Sequence, residues 1–107
     1  MKPMMMPLDK MRENADHMAD MLRAMANSAR LLILCRLSAG EASVGELIEA
    51  TQLGQSAVSQ HLATLREAGA VAARADKQSR IYSIVDPQVR SIFDSLCDIC
   101  ADGEKAA

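Results

Sequence analysis

Three cysteines are the residues of this 107-residue sequence most able to do covalent or metal chemistry. Cys97 and Cys100 form a Cys-x-x-Cys pair near the end of the chain, and Cys35 lies in the apolar segment LLILCRL. Thiolates attack sulfur electrophiles, form disulfides and bind soft metals. The Cys-x-x-Cys pair alone suggests metal or redox chemistry, but two thiols are too few for a closed zinc site without Cys35 or a partner subunit. Cys35 or Cys100, taken singly, is more often an inert core residue.

A second group of residues has the types and spacing for hydrogen bonding to DNA. In the segment 55–69, Val58, Leu62 and Leu65 recur at i, i+4 and i+7, which predicts one buried helix face. The opposite side is small and mostly uncharged, unlike an ordinary solvated helix face. Hydroxyl and amide groups on a slim helix suit the major groove, where Gln bonds adenine and Ser or Thr reaches phosphates or bases. We predict a recognition helix whose polar side carries Ser56, Ser59, Gln60, Ala63, Thr64 and Glu67.

Capping and periodicity signals divide the rest of the chain into short elements. Asn27 with Ser28, and then Ser43, precede apolar periodic segments as N-caps do, and alternation around a polar turn at 76–79 predicts a β-hairpin wing. Residues 1–7 and 102–107 are expected to be flexible ends around one domain, residues 8–101. The predicted elements are helices over 8–26, 29–39, 44–50 and 55–69, strands over 71–75 and 80–84, and a last helix opened by Asp86 and Pro87. This order, α-α-α-α-β-β-α, is a mainly helical winged helix-turn-helix.

The first and last helices carry apolar stripes. In the first helix the stripe is rich in methionine, which indicates core or dimer packing more than a soft-metal site. In the last helix the predicted stripe is Val89, Phe93, Leu96 and Cys100. Cys97 lies about 100° from Leu96 on the helical wheel, so the sequence predicts that Cys100 faces inward and Cys97 lies nearer the edge.

Charge is unevenly distributed along a chain whose net charge is -2. Residues 55–84 are net basic, whereas residues 85–107 are net acidic. The positive charge therefore lies on the predicted recognition helix and wing. Arg74, Lys77 and Arg80 of the wing are expected to touch phosphate or the minor groove. The absence of a long apolar run and of a signal-peptide pattern predicts a cytoplasmic protein with reduced thiols and no membrane partner. Its small size favours an obligate homodimer.

The segments MANSARLLILCRL, SVGELIEATQLGQSAVSQHLATLREAGAV and SRIYSIVD resemble the ArsR/SmtB family of winged-helix repressors. The resemblance covers roughly residues 22–100. It implies a homodimer held by the first and last helices, with recognition helices in successive major grooves of an inverted-repeat operator. It also implies that DNA is contacted by Ser56, Ser59, Gln60, His61 and Thr64. From the helical wheel alone, His61 could equally be a satisfied residue at the boundary of the buried face.

The two metal sites common in this family are missing from the sequence. The segment EASVGEL at 41–47 has no thiol where arsenic and cadmium sensors carry Cys-x-Cys, and the zinc-site positions read Asp86, Gln88, Ile99 and Asp102. Cys35 and Cys100 instead resemble the dithiol branch of persulfide and oxidant sensors typified by SqrR, BigR and HlyU. That resemblance implies a disulfide or polysulfide cross-link between Cys35 and Cys100. Cys97 would then be a spare resolving thiol or a small buried residue.

These observations predict a sequence-specific repressor that binds double-stranded DNA and is induced by reactive sulfur species or oxidants. No cofactor and no catalysis are expected, since nothing indicates a pocket with paired catalytic groups. The alternative is a repressor that responds to a thiophilic metal or metalloid held by Cys35, Cys97 and Cys100. A Cys-x-x-Cys oxidoreductase is disfavoured because the chain lacks the βαβ context of such motifs.

Overall fold

The computed structural model describes the backbone of residues 6–106 and the side chains of residues 8–101. The described residues form five helices and three short strands, which confirms the predicted mainly helical fold with a β-hairpin wing. The predicted flexible ends, 1–7 and 102–107, fall on residues whose side chains lie outside the described set, and they stay predictions. The elements are α1 (Met6–Met25), α2 (Ser28–Ser38), β1 (Ala42–Ser43), α3 (Val44–Thr51), α4 (Gln55–Glu67), β2 (Val71–Asp76), β3 (Ser79–Ile84) and α5 (Pro87–Ala106).

Side-chain caps fix the starts of α2 and α3 where the sequence predicts them. The Asn27 side chain accepts a hydrogen bond of 3.1 Å from the Arg30 backbone N–H. Ser43 and Glu46 form a capping box: the Ser43 hydroxyl accepts from the Glu46 N–H at 3.1 Å, and the Glu46 carboxylate accepts from the Ser43 N–H at 2.8 Å. Because the Ser43 N–H donates to the charged carboxylate, it lowers the pKa of Glu46.

The wing belongs to a three-stranded antiparallel sheet with the strand order β1-β3-β2. Its hairpin closes at the pair Asp76↔Ser79, and Lys77 in the turn has a left-handed backbone with φ of 60°. The third strand, β1, pairs Ala42 with Tyr82 and Ser43 with Ile81. The sequence does not predict β1 because two residues are too few to show alternation. Ser43 therefore both pairs with the wing and caps α3.

One hydrophobic core holds the helix-turn-helix in place. Val58, Leu62 and Leu65 of α4 are buried, as the i, i+4, i+7 spacing predicts. They belong to the same buried cluster as Ile33, Leu34 and Leu37 of α2, Leu47 of α3, and Val71, Tyr82 and Ile84 of the wing. The inner face of α4 is thus fixed by packing, which leaves its outer face in solvent.

The apolar stripes of α1 and α5 are only partly buried in the single chain. Met21, Met25, Val89 and Phe93 belong to the core. The prediction that Leu96 and Cys100 face inward is wrong for the single chain, since both are exposed, whereas Ile92 and Cys97 pack against the core. The reason is that α5 carries apolar residues on two faces, so the wheel alone does not identify the inner one. Large exposed apolar side chains on the end helices are Leu8, Met11, Leu22, Leu96 and Ile99.

Candidate nucleic-acid interface and thiol cleft

The outer side of α4 presents four polar side chains to solvent, and we call Ser56, Ser59, Gln60 and Thr64 the reading face. Ser56, Ser59 and Gln60 line a shallow depression together with Gln55 and Ala63. The Thr64 hydroxyl donates to the Gln60 carbonyl at 3.3 Å. Within the described part of the chain, the side chains of Ser56, Ser59 and Gln60 make no hydrogen bond to protein. Their donors and acceptors are therefore available to phosphates and base edges.

His61 differs from the reading face because it is half-buried and has a partner inside the protein. Its Nδ1 lies 3.3 Å from the Arg30 Nη1, and since a guanidinium only donates, Nδ1 is the acceptor. Arg30 is itself held by the Ala24 carbonyl at 2.5 Å. This geometry favours the boundary-residue interpretation of His61 over the DNA contact. Sequence reasoning missed Arg30, because it and His61 belong to different helices and no local pattern links them.

The three basic residues predicted for the wing are all exposed, but they are not equivalent. The Arg74 guanidinium forms an ion pair of 2.5 Å with the Glu41 carboxylate, which raises the pKa of Arg74. Lys77, at the turn, and Arg80, on β3, have no ion-pair partner among the described side chains. The two unpaired cations are therefore the better candidates for contacts with DNA phosphates.

The three cysteines come together in one apolar depression, although α2 and α5 are far apart in sequence. Cys35 of α2 and Cys97 and Cys100 of α5 line a cleft of about 430 Å³, which we call the thiol cleft. All three thiols are free; Cys35 and Cys100 are exposed and Cys97 is half-buried. The remaining walls of the thiol cleft are Leu31, Leu32, Phe93, Leu96 and Ala101.

Within the thiol cleft, the Cys97 thiol affects the pKa of Cys35 more than the Cys100 thiol does. Burial raises the pKa of the Cys35 thiol first, the neighbouring Cys97 thiol raises it further, and Cys100 contributes less. Ser38 connects the same two positions: its hydroxyl donates to the Cys35 carbonyl at 2.7 Å and lies 3.8 Å from the Cys97 sulfur. Either the Ser38 hydroxyl or the Cys97 thiol can be the donor in this contact. Sequence reasoning missed Ser38.

Two other kinds of site are not found in the part of the chain that the structure describes. No three His, Cys, Asp or Glu side chains there converge closely enough to hold a metal ion, the three cysteines included. No helix there combines the length and apolar character needed to cross a bilayer.

Comparison with known proteins identifies the group to which this architecture belongs. Residues 27–73 match the model of the "Bacterial regulatory protein, arsR family". The transcriptional activator HlyU of Vibrio cholerae is 43% identical over 91 residues, which span 85% of this chain and 84% of that protein.

Solved structures give the same result. Reduced HlyU from Vibrio cholerae superposes with a TM-score of 0.80 at 41% identity, covering 84% of this chain and 95% of that one. The transcriptional repressor BigR from Xylella fastidiosa gives 0.79 at 32% identity, covering 85% and 93%. A homodimeric winged helix-turn-helix DNA-binding domain from Mycobacterium bovis gives 0.73 at 31% identity, covering 90% and 88%. The chain is therefore a DNA-binding transcriptional regulator and not an enzyme, and it belongs to the ArsR family.

Proposed function

We propose that this protein is a homodimeric repressor that leaves its operator when reactive sulfur species or oxidants cross-link the thiol cleft. One observation carries the proposal: thiols from α2 and α5 share a single cleft, while the reading face on α4 is unobstructed. The known relatives include both an activator and a repressor by name. We propose repression because a protein that occupies its operator while its thiols are reduced, and leaves it when they are oxidised, most directly blocks transcription until the inducer arrives.

The proposed DNA contacts are the reading face and the unpaired wing cations. Ser56, Ser59, Gln60 and Thr64 would enter the major groove, and Lys77 and Arg80 would neutralise phosphates beside it. A dimer doubles these contacts and matches a two-fold symmetric, inverted-repeat operator. Arg74 is a weaker candidate because Glu41 already neutralises its charge.

The proposed dimer explains why the single chain exposes large apolar side chains. Leu8 is 64% exposed and Ile99 is 64% exposed, although both belong to amphipathic end helices. Apolar residues concentrated on two helices mark an interaction surface. The homodimeric structural relative supports the idea that a second copy covers this surface. Leu32 of α2 and Leu96 of α5 lie beside the thiols, so the cleft would adjoin the dimer contact.

The proposed switch acts through the connections of α2 and α5. The α2 core residues pack with those of α4, whereas α5 contributes exposed residues to the proposed dimer surface. A covalent link between the two helices would therefore change how the reading faces of two protomers are placed relative to each other. In this proposal, the cross-link that persulfides produce joins Cys35 to Cys100. Oxidised and reduced states would differ in DNA affinity by population shift.

The experiment compares wild type with Cys35→Ser on an operator duplex selected from a random library. Fluorescence anisotropy would measure Kd before and after treatment with glutathione persulfide, and again after reduction with dithiothreitol. We expect both proteins to bind equally when reduced, and only the wild type to release DNA reversibly. Ser91→Ala, an exposed change on α5, is the matched control. Release of DNA by treated Cys35→Ser would show that the switch lies elsewhere.

The metal-responsive alternative is tested in the same assay. This alternative holds arsenite or Cd²⁺ with the thiolates of Cys35, Cys97 and Cys100 together, and the described side chains of one protomer form no group of three ligands close enough for one ion. We expect neither ion to release the operator at stoichiometric concentration. Release that is abolished in Cys97→Ser would favour the metal-responsive repressor instead.

A further inference from the structure

We propose that Cys97 is the partner of Cys35 in a direct disulfide, and that Cys100 is its partner only across inserted sulfur atoms. The Cys97 thiol then makes the chain responsive to peroxides as well as to persulfides. This inference rests on the proposed thiol switch and assigns a separate inducer class to each thiol of α5.

The positions of the two α5 thiols support different bridge lengths. Cys97 is half-buried, packs against the core and shares Ser38 with Cys35, whose carbonyl accepts the Ser38 hydroxyl proton. Cys100 lines the same cleft but is exposed. Three residues of helix separate the two α5 positions, which is about 4.5 Å along the axis. Each inserted sulfur adds one S–S bond of about 2 Å, so a polysulfide spans a wider gap than a direct disulfide does.

With a peroxide, the chemistry needs no inserted sulfur. One thiolate of the Cys35–Cys97 pair attacks the peroxide oxygen, the O–O bond breaks, and that cysteine becomes a sulfenic acid while water or an alcohol leaves. The second thiolate then attacks this sulfur; an S–S bond forms, the S–O bond breaks, and hydroxide departs as water. Two thiols are oxidised by two electrons, and one peroxide is reduced.

With a low-molecular-weight persulfide, sulfur atoms are added to Cys35 before Cys100 reacts to form the cross-link. The Cys35 thiolate attacks the outer sulfur of the donor, the donor S–S bond breaks, and a thiol leaves; repetition lengthens the chain on Cys35. The Cys100 thiolate then attacks the penultimate sulfur of that chain and expels hydrosulfide. Each sulfur transferred reduces one donor persulfide to its thiol, so electrons balance without another oxidant.

The test maps the bridge in full-length wild type, Cys97→Ser and Cys100→Ser after separate treatment with hydrogen peroxide and glutathione persulfide. Digestion with trypsin and an Asp-specific protease places the cysteines in three peptides, LLILCR, DSLC and DICA, because Asp98 separates Cys97 from Cys100. Mass spectrometry then reports both the partner and the number of sulfur atoms. Operator binding is followed in parallel by anisotropy.

We expect peroxide to join LLILCR to DSLC with the loss of two hydrogen atoms, and persulfide to join LLILCR to DICA with added sulfur. Cys97→Ser should lose the peroxide product and keep the persulfide product, and Cys100→Ser should do the reverse. A peroxide-induced Cys35–Cys100 or Cys97–Cys100 disulfide, or one partner for both reagents, would overturn the inference and leave the proposed function standing. If neither reagent bridges Cys35, both fail.

Discussion

The reading face and the thiol cleft place their functional side chains in opposite ways. The reading face lies on one side of one helix, and its inner neighbours Val58, Leu62 and Leu65 fix its orientation. The thiol cleft is assembled from α2 and α5, and its three cysteines line one cleft only because the whole core folds. A site built on one helix is specified by local spacing, whereas a site built between helices depends on packing. The two regions should therefore respond differently to mutation.

The largest effect is expected from removing the support of the reading face. Leu62→Ala empties a fully packed position, since Leu62 is 1% exposed, and should lower the free energy of unfolding by about 2–5 kcal/mol. Urea denaturation at fixed protein concentration measures this, because the proposed dimer would make stability concentration-dependent. Thr64→Ala, on the outer side of the same helix, is the control and should have a small effect. Equal losses for both variants would contradict the division of α4 into an inner and an outer face.

The next effect separates DNA reading from stability. Gln60→Ala removes an exposed amide and should weaken operator binding by about 1–3 kcal/mol, which is roughly 5- to 150-fold in Kd. Its urea midpoint should equal that of wild type, because Gln60 is exposed. The persulfide response, expressed as the ratio of Kd values before and after treatment, should also be retained. Unchanged affinity for the selected operator would remove Gln60 from the reading face.

A smaller effect distinguishes the cations of the wing. Lys77→Ala or Arg80→Ala should lower the slope of log Kd against log salt by about 1 for each DNA phosphate that the variant no longer neutralises. Arg74→Ala is the matched comparison and should change the slope less, because Glu41 already pairs with Arg74. Binding titrations at several salt concentrations give the slopes. A larger change for Arg74 than for Lys77 would show that DNA breaks the Glu41 ion pair.

The smallest effect concerns the thiol cleft in its reduced form. Cys97 raises the pKa of Cys35, so Cys97→Ala should move the ionisation of Cys35 to lower pH, while burial still keeps its pKa above the ordinary value. The pH dependence of iodoacetamide labelling, read on the peptide LLILCR, measures the midpoint. Cys100→Ala should shift it less. An unchanged midpoint in Cys97→Ala would show that the two thiols do not interact.

The sequence predicted those parts of the molecule whose signals are local. Asn27 and Ser43 place helix starts because caps lie next to the helices they begin. The orientation of α5 was predicted wrongly, because its apolar residues serve two surfaces and only the assembled core distinguishes Cys97 from Cys100. The contact between Arg30 and His61 and the place of Ser38 beside Cys97 join distant segments. Such pairings depend on tertiary packing, which no spacing rule contains.

The double role of Ser43 has a mechanical consequence. Because Ser43 is paired in register with Ile81 of β3 and also caps α3, we expect a movement of the wing to pull on the start of the helix-turn-helix. We call α3, α4 and the wing of one protomer of the proposed dimer its DNA-binding unit, and we expect an inducer to move this unit as a whole. In a dimer, the distance between the two α4 helices must match the helical repeat of DNA, which is about 34 Å from one major groove to the next. We expect release to occur when the distance or angle between the two α4 helices no longer fits successive major grooves, while each DNA-binding unit stays folded.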